Sequence, residues 1–462
     1  MQTHLNNILL ALADPSIKIV VIKGPAGSGK TSFIPLVCQS VANVVVLAFA
    51  NKAVNVLHSK GISKARTIHS SLFEMLDTGR KKTVQKPVLD PLTCKPMVDP
   101  NNSSGFLYNE IEEPIFTQTF SQQALKTRKL IHEDASFENV VLLIDEASMV
   151  NSEIWYNLIE NFDGKIIAIG DPNQLPPVEA DREKIVYDYV NFFNRAPATI
   201  TLTTIHRQDA NSEILTIANH FLATKKDATV ISIPHICTDD VVSTSADSDK
   251  PFSDWLYDNL HTYDIVISQL NETVSKINSR IRNLKFATEF QNLPAAKRMI
   301  PRVGERLYVE GSFEHEFNIK FDENGEKESS ESKKLFKGQF IIIQDFLGLD
   351  SINNLAVINA VDENGYVWEC LPIKLNFIGL NTKPKIAGVR VCWGYAITCH
   401  KAQGSQWENV LVIDTRFFER LPSNPTPEDW SKFHGRKPFL YTAVTRASRE
   451  LVLVSWNKFL SL

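Results

Sequence analysis

The sequence predicts an α/β protein of two parallel-sheet domains, with a small hairpin insertion in one and a β-rich insertion in the other. Short, β-branched apolar runs alternate with helical stretches and end in polar or glycine turns, as strands buried on both faces do. They fall into two sets: KIVVIKG at 18–24, NVVVLAFAN at 43–51, NVVLLIDEA at 139–147 and KIIAIGD at 165–171, then TYDIVISQL at 262–270, VLVID at 410–414 and LVLVSW at 451–456. The rhythm breaks at 73–138 and at 301–387, and 462 residues exceed what one core holds.

The bulk properties are those of an ordinary globular chain, 43% hydrophobic and 22% charged. A net charge of −4 and a pI near 6.3 argue against a broad basic face, although a narrow groove that grips a nucleic-acid strand needs only local positive charge. Cys38, Cys94, Cys237, Cys370, Cys392 and Cys399 are scattered without a C-x-x-C pair, so reduced thiols are expected in preference to zinc ligands or disulfides. The apolar run ILLALA at 8–13 has no basic flank and is too short to span a bilayer. The expectation is a cytoplasmic protein with no membrane partner.

The two interruptions differ in character. Residues 73–138 are polar and irregular, with turn residues and Phe106, Phe116 and Phe120, the composition of a hairpin with an apolar tip. Two of these phenylalanines suit the core of such a hairpin, and one left exposed would stack on a base. Residues 301–387 read as all-β: LYVEG, QFIIIQDF, LAVINAV and YVWECL, with DENG at 322–325 and again at 362–365. Asn-Gly between apolar runs is a strong hairpin signal. ENGEKESSESKK at 323–334 reads as a solvated loop.

The most specific local motif is GPAGSGKT at 24–31, which follows a strand and fits G-x-x-x-x-G-K-[ST]. Gly24, Ala26, Gly27, Ser28 and Gly29 would wrap phosphates with backbone N–H groups, Lys30 would reach the β- and γ-phosphates, and Thr31 would hold Mg²⁺. A ligand-free glycine turn is the alternative, and the flanking strand and helix weigh against it. Pro35 threatens to kink the helix that follows. VVLLIDEA adds two carboxylates at a strand tip, Asp145 for the metal and Glu146 for the attacking water. Such a tip can be a mere solvated end, but after a phosphate loop the catalytic reading is favoured.

Three further positions separate motors from other nucleotide enzymes. Gln174 in AIGDPNQLPPV lies just past a strand end, where an amide can sense a γ-phosphate. Arg207 in TIHRQ and Arg446 in LYTAVTRA lie far along the chain, as arginines supplied by a second domain would.

In order, GPAGSGKT, TIHSSL at 67–72, IDEASMV at 144–150, GDPNQLPPV, GYAITCHKAQGSQWENVLVI at 394–413 and YTAVTRA resemble the motifs of superfamily 1B DNA helicases. The closest resemblance is to the RecD-like branch that includes the phage Dda helicase. It covers nearly the whole chain and implies two RecA-like lobes: 1–72 with 139–200, and 201–300 with 388–462. The insertion 73–138 would be a candidate strand-separating wedge, and 301–387 an SH3-like subdomain. By the same resemblance Gln2 would read adenine, while Asn51, Lys52, Thr67, His69, Pro176, Thr398, His400 and Lys401 would line the strand. Gly404 would link strand and nucleotide. Gln406 departs from the ribose-contacting glutamate of many members.

For His69 a structural role is as good a reading as a ligand role, and Pro176 with Pro177 can simply shape a turn. The function expected is ATP- and Mg²⁺-dependent unwinding of duplex DNA, with 5′→3′ movement on single-stranded DNA implied by the resemblance. Partners expected with it are a duplex fork, a single-strand-binding protein or replisome components, and action as a monomer. An RNA helicase or remodeller on the same scaffold is the alternative.

Overall fold

Strands that are apolar along their whole length must be covered on both sides, and this governs the first of two compact units, Met1–Met75 with Gln118–Val274 and Ile397–Leu462. In the computed structural model the described residues are 2–90, 95–177, 196, 198–203, 213–224, 228, 230–245, 249–321, 327–378, 382–383, 385–415, 424 and 426–456. One six-stranded sheet runs in the order Ala198–Thr201, Ile19–Lys23, Lys165–Gly170, Val141–Asp145, Val44–Ala48, Arg66–Thr67, with every neighbouring pair parallel. Val21, Val45, Leu142 and Ile166 enter one core cluster, while Val20, Val46, Leu143 and Ile167 enter another. Successive residues of one strand thus point into two cores, so the runs show no polar alternation.

A second six-stranded sheet in the same unit runs Ile236–Cys237, Val241–Ser245, Ala447–Ser455, Trp407–Asp414, Ile265–Ser268, Ala396–Thr398. Its four central strands are parallel. The core is therefore α/β, a pair of largely parallel sheets. In the first sheet the strand ending in Asp145 lies one strand away from the phosphate-loop strand, with Lys165–Gly170 between them. Pro35 proves harmless, because it sits in the first turn of the helix Phe33–Ser40, where its missing N–H has no intrahelical acceptor.

The second unit comprises Leu76–Thr117 and Ser275–Ala396. Its centre is a closed barrel of Arg306–Val309, Phe340–Asp350, Leu355–Asp362, Val367–Lys374 and Val389–Trp393. Closure needs the last strand, which pairs with both Arg306–Val309 and Val367–Lys374, so the β insertion extends past the expected end at 387. The turn at 362–365 forms as expected: Gly365 has φ +79°, and Asp362 Oδ1 accepts the N–H groups of Asn364 and Tyr366 at 2.9 and 3.1 Å. The reading of 323–334 as a loop is corrected. Lys327–Leu335 pairs antiparallel with Phe313–Phe321, because main-chain pairing does not need apolar alternation at the exposed residues 331–334. The Asn-Gly turn at 322–326 lies outside the described residues.

The 73–138 insertion is a long two-stranded ribbon, Phe73–Pro87 with Tyr108–Phe120. Exposed pairs cross it, Lys81–Glu112 at 3.0 Å and Lys82–Glu113 at 3.4 Å, each worth little. Its root belongs to the first unit, where Phe120 meets Phe73 edge-on at 5.7 Å. The far end is not a free apolar tip. Within the second unit Asp350 Oδ2 accepts the N–H of Phe106 at 3.1 Å, the Tyr108 hydroxyl at 2.5 Å and the Asn353 amide at 2.8 Å. Burial alone would raise the Asp350 pKa, but these hydrogen bonds hold it below the usual carboxylate range. The Phe106 ring is buried with Leu355, Val357 and Ile386 of the barrel unit. Phe106 is 7% exposed and Phe116 46%, so among the three phenylalanines Phe116 is the one open to a base.

Candidate nucleotide site

The phosphate loop leaves the strand Ile19–Lys23 and enters a 3₁₀ turn, Lys30–Ser32, before the helix. Gly27 and Gly29 have φ of +80° and +77°, a region that side chains disfavour. Gly24 is required for space, since a Cβ there would stand 2.6 Å from Ser28 Oγ and 2.8 Å from the Leu202 carbonyl oxygen. Lys30 Nζ donates to the carbonyls of Gly24 and Pro25 at 2.7 Å each, which holds the ammonium over the loop.

Asp145 is buried at its strand end, with Oδ2 3.4 Å from the Thr31 hydroxyl. Burial, reinforced by the charge of Glu146, pushes its pKa up to about 7, and Lys30 and Lys60 pull it back. Glu146 has φ +50°, a conformation that costs a non-glycine residue roughly 1–3 kcal/mol and marks a side chain held in a set direction. Its Oε2 is buried without a hydrogen-bond partner. Hard oxygen donors from Thr31 and Asp145, beside a carboxylate oxygen with no hydrogen-bond partner, suit Mg²⁺. Among the described residues no cluster of three His, Cys, Asp or Glu side chains forms a metal cage, so such an ion would draw further oxygens from phosphate and water.

The second sheet supplies the opposite wall. Arg446, 3% exposed, donates to the Thr442 carbonyl at 3.0 Å, the Ser405 carbonyl at 3.2 Å and the Thr445 hydroxyl at 3.1 Å. Gly404, beside Ser405, has φ +75°. Gln174 is buried, and the next peptide is gripped at both ends: Leu175 N–H donates to Thr442 Oγ1 at 2.8 Å, and its carbonyl accepts from Gln403 Nε2 at 3.0 Å. The cleft so formed has a volume of about 510 Å³ and is lined by residues 26–32, Lys52, Lys60, Asp145, Glu146, Gln174, Gly404, Gln406 and Arg446. Four cationic side chains (Lys30, Lys52, Lys60, Arg446) face two carboxylates across it, an excess that suits a polyphosphate carrying a divalent ion.

Of the other expected positions, Lys52 alone among the described residues also lines this cleft. Gln2 is exposed on the helix Gln2–Ala13, 3.4 Å from the Asn6 side chain, and does not line the cleft. Arg207 lies outside the described residues. Lys52, assigned to the strand by resemblance, lines the nucleotide cleft with its ammonium 5.1 Å from the centre of the Trp407 ring. Asn51 opens the helix Asn51–Ser59. Thr67 caps the helix Ile68–Leu72, accepting the Ser70 N–H at 3.1 Å. The His69 ring lies 5.0 Å from Phe73 and 6.2 Å from Phe49, and burial depresses its pKa against the pull of Glu153. Pro176 and His400 are exposed, Lys401 is half-buried, and Thr398 is buried at the start of the helix Cys399–Ala402.

Sequence reasoning missed three members of the site. Lys60 sits just past the helix Asn51–Ser59 with nothing to mark it. Asp171 and Tyr441 stand inside GDPNQLPPV and YTAVTRA, whose clearest chemical signals are Gln174 and Arg446. Their pairing across 270 residues leaves no trace in any periodicity.

Residues 6–232 match the family profile described as an AAA domain, and residues 394–424 match that of a UvrD-like helicase C-terminal domain. An uncharacterized protein of Acanthamoeba polyphaga mimivirus is 28% identical over 198 residues, 41% of this chain and 35% of that protein. The chain thus spans about a third of that relative's length. Among solved structures, the Pif1 helicase from Bacteroides in complex with ADP-AlF3 and ssDNA is 18% identical with a TM-score of 0.46, covering 97% of this chain and 91% of that one. The Pif1 helicase from Candida albicans is 17% identical with a TM-score of 0.44, covering 98% and 93%. Among the described residues no helix is long and apolar enough to cross a membrane.

Proposed function

We propose that the chain is an ATP-dependent DNA helicase that moves 5′→3′ on single-stranded DNA. One observation carries the reading: Arg446 and Gly404, in turns that lead into strands of the second sheet, line the same cleft as the phosphate loop, Asp145 and Glu146 at strand ends of the first. A nucleotide bound there would touch both sheets, so its hydrolysis would change how they are held together, as a motor requires. The matches to an AAA domain and to a UvrD-like helicase C-terminal domain support the same reading.

In this mechanism Lys30 neutralises the β- and γ-phosphates, and Glu146 orients the attacking water. Gln174 contacts the γ-phosphate, and Arg446 and Arg207 stabilise charge on the transferring phosphoryl group. Thr31 and Asp145 would hold Mg²⁺, which supplies charge neutralisation between the phosphates. Asn51, Thr67, His69, Pro176, Thr398, His400 and Lys401 remain the proposed strand contacts. Lys52 is better read as a nucleotide-cleft residue. Replication, recombination or repair is the proposed setting, at a fork and as a monomer, with a RecD-like relationship behind the assignment.

ATP turnover measured alone, with single-stranded DNA and with RNA tests the function. Stimulation by DNA is expected. Stimulation by RNA alone would make the chain an RNA motor, and no stimulation by either would remove the motor reading. Direction is tested on partial duplexes: those with only a 5′ tail should be unwound far better than those with only a 3′ tail, and the reverse preference would overturn 5′→3′ movement.

The ribbon is the proposed wedge, and Phe116 is its available aromatic. Each opened base-pair step costs on average about 1.4 kcal/mol of stacking, and a stacked aromatic contributes about 1–3 kcal/mol against re-pairing. Phe116→Ala should leave DNA-stimulated ATPase unchanged and lower unwinding of a tailed duplex about tenfold. Unwinding at the parent rate would pass the wedge role to the barrel unit. Excising the ribbon is a poorer experiment, because it would strip Phe106 from the core it shares with the barrel.

A further inference from the structure

One side chain outside the first sheet bonds directly to the phosphate loop among the described residues, and no motif role accounts for it. Tyr441, in the helix Pro427–Val444, is 1% exposed. Its hydroxyl accepts the N–H of Ala26 at 3.0 Å and donates to Asp171 Oδ2 at 2.7 Å. The acceptor is fully buried, and burial raises its pKa against the opposing charge of Lys30 and the hydroxyl itself. Asp171 begins the segment that carries Gln174. The segment ends at Leu175, whose peptide is held by Thr442, the residue next to Tyr441, and by Gln403. Arg446 follows five residues after Tyr441 and anchors its guanidinium on the Thr442 carbonyl. The loop, the segment bearing Gln174 and the arginine are thereby tied to one helix end.

We propose that Tyr441 is a positioning residue for ATP hydrolysis. Its hydroxyl sets the register between the phosphate loop and the Asp171–Leu175 segment, so that Gln174 and Arg446 reach the γ-phosphate together. The inference rests on the nucleotide-site reading above. The ring alone cannot do this work, since packing resists displacement but does not fix the direction of an N–H. A phenol bridging a buried donor and a buried carboxylate does fix it.

Tyr441→Phe keeps the ring and removes both bonds. Leaving a buried carboxylate and an amide without this partner should misalign the site, with DNA-stimulated kcat falling on the order of ten- to a hundredfold. Affinity for ATP should change by less than about threefold, because Lys30 and the loop glycines still meet the phosphates. Amide hydrogen exchange at Ala26 should become faster in the variant, a direct report on the bond. A kcat at the parent value, or a rise in KM with kcat unchanged, would overturn the positioning role. So would unchanged exchange at Ala26. A loss of kcat accompanied by loss of the folding transition would assign Tyr441 to the core instead, and Thr442→Val then serves as the second probe, since it releases Leu175 without touching the Tyr441 hydroxyl. Under the proposal that variant lowers kcat and leaves Ala26 exchange at the parent rate; a parent kcat there sinks the register argument. The wild-type protein is the control for the underlying reading: if it shows no ATPase at all, the nucleotide-site assignment fails before Tyr441 is tested.

Discussion

Lys30→Ala is expected to reduce ATP hydrolysis to background, with or without DNA. The ammonium is held over the phosphate loop by the Gly24 and Pro25 carbonyls, so a bound nucleotide finds it already in place. Removing one preorganised charge-stabilising contact of this kind costs about 10²–10³-fold in turnover. Here the loss should be larger, because Lys30 also pulls down the pKa values of Asp145 and Asp171. Without it both buried carboxylates take up protons more readily, and a protonated Asp145 is a poor Mg²⁺ ligand. The sign follows from the direction of the shift: the Asp145 pKa is already raised to about 7, so the variant should lose Mg²⁺-dependent nucleotide binding at a higher pH than the parent. Steady-state turnover and nucleotide titration at several pH values measure both effects. Near-normal turnover in a folded variant would overturn the nucleotide-site assignment.

Arg446→Ala should separate binding from chemistry. ATP should still bind, because the phosphate loop, Thr31 and Asp145 belong to the other sheet, while kcat should fall by on the order of 10³–10⁵ as the charge on the transferring phosphoryl loses its partner. Three carbonyl and hydroxyl acceptors hold this guanidinium, so the alanine variant also frees part of the turn. Arg446→Lys is the control, since it keeps the charge and loses the fork of donors. A conserved kcat with a raised KM would make Arg446 a binding residue, and coupling of hydrolysis to the two sheets would then need another carrier.

The parts of the fold that were legible in the sequence share one physical cause. Val20, Val21, Leu142, Leu143, Ile166 and Ile167 face two cores, so their strands carry continuous apolar runs that stand out from any helix or loop. Gly27 and Gly29 were legible because only glycine adopts their positive φ without strain, which makes the phosphate loop a pattern of residue types. Arg66–Thr67 and Ala198–Thr201 were not legible, being too short or too polar to show a period. Lys327–Leu335 misled for the opposite reason, since the exposed residues 331–334 have the composition of a loop although their main chain is paired.

Local chemistry is what the sequence determined by itself: two sets of buried parallel strands, a phosphate loop, a pair of carboxylates at a strand tip, and arginines remote from both. The tertiary structure alone decided which of these meet. It brought Lys52 and Lys60 into the cleft, left Gln2 outside it, buried Phe106 while exposing Phe116, and joined Tyr441 to Ala26 and Asp171. The reason is that residue type and spacing report the demands of a single strand, turn or helix. A hydrogen bond between residues 415 positions apart depends on how two sheets pack, and no local pattern in the chain encodes it.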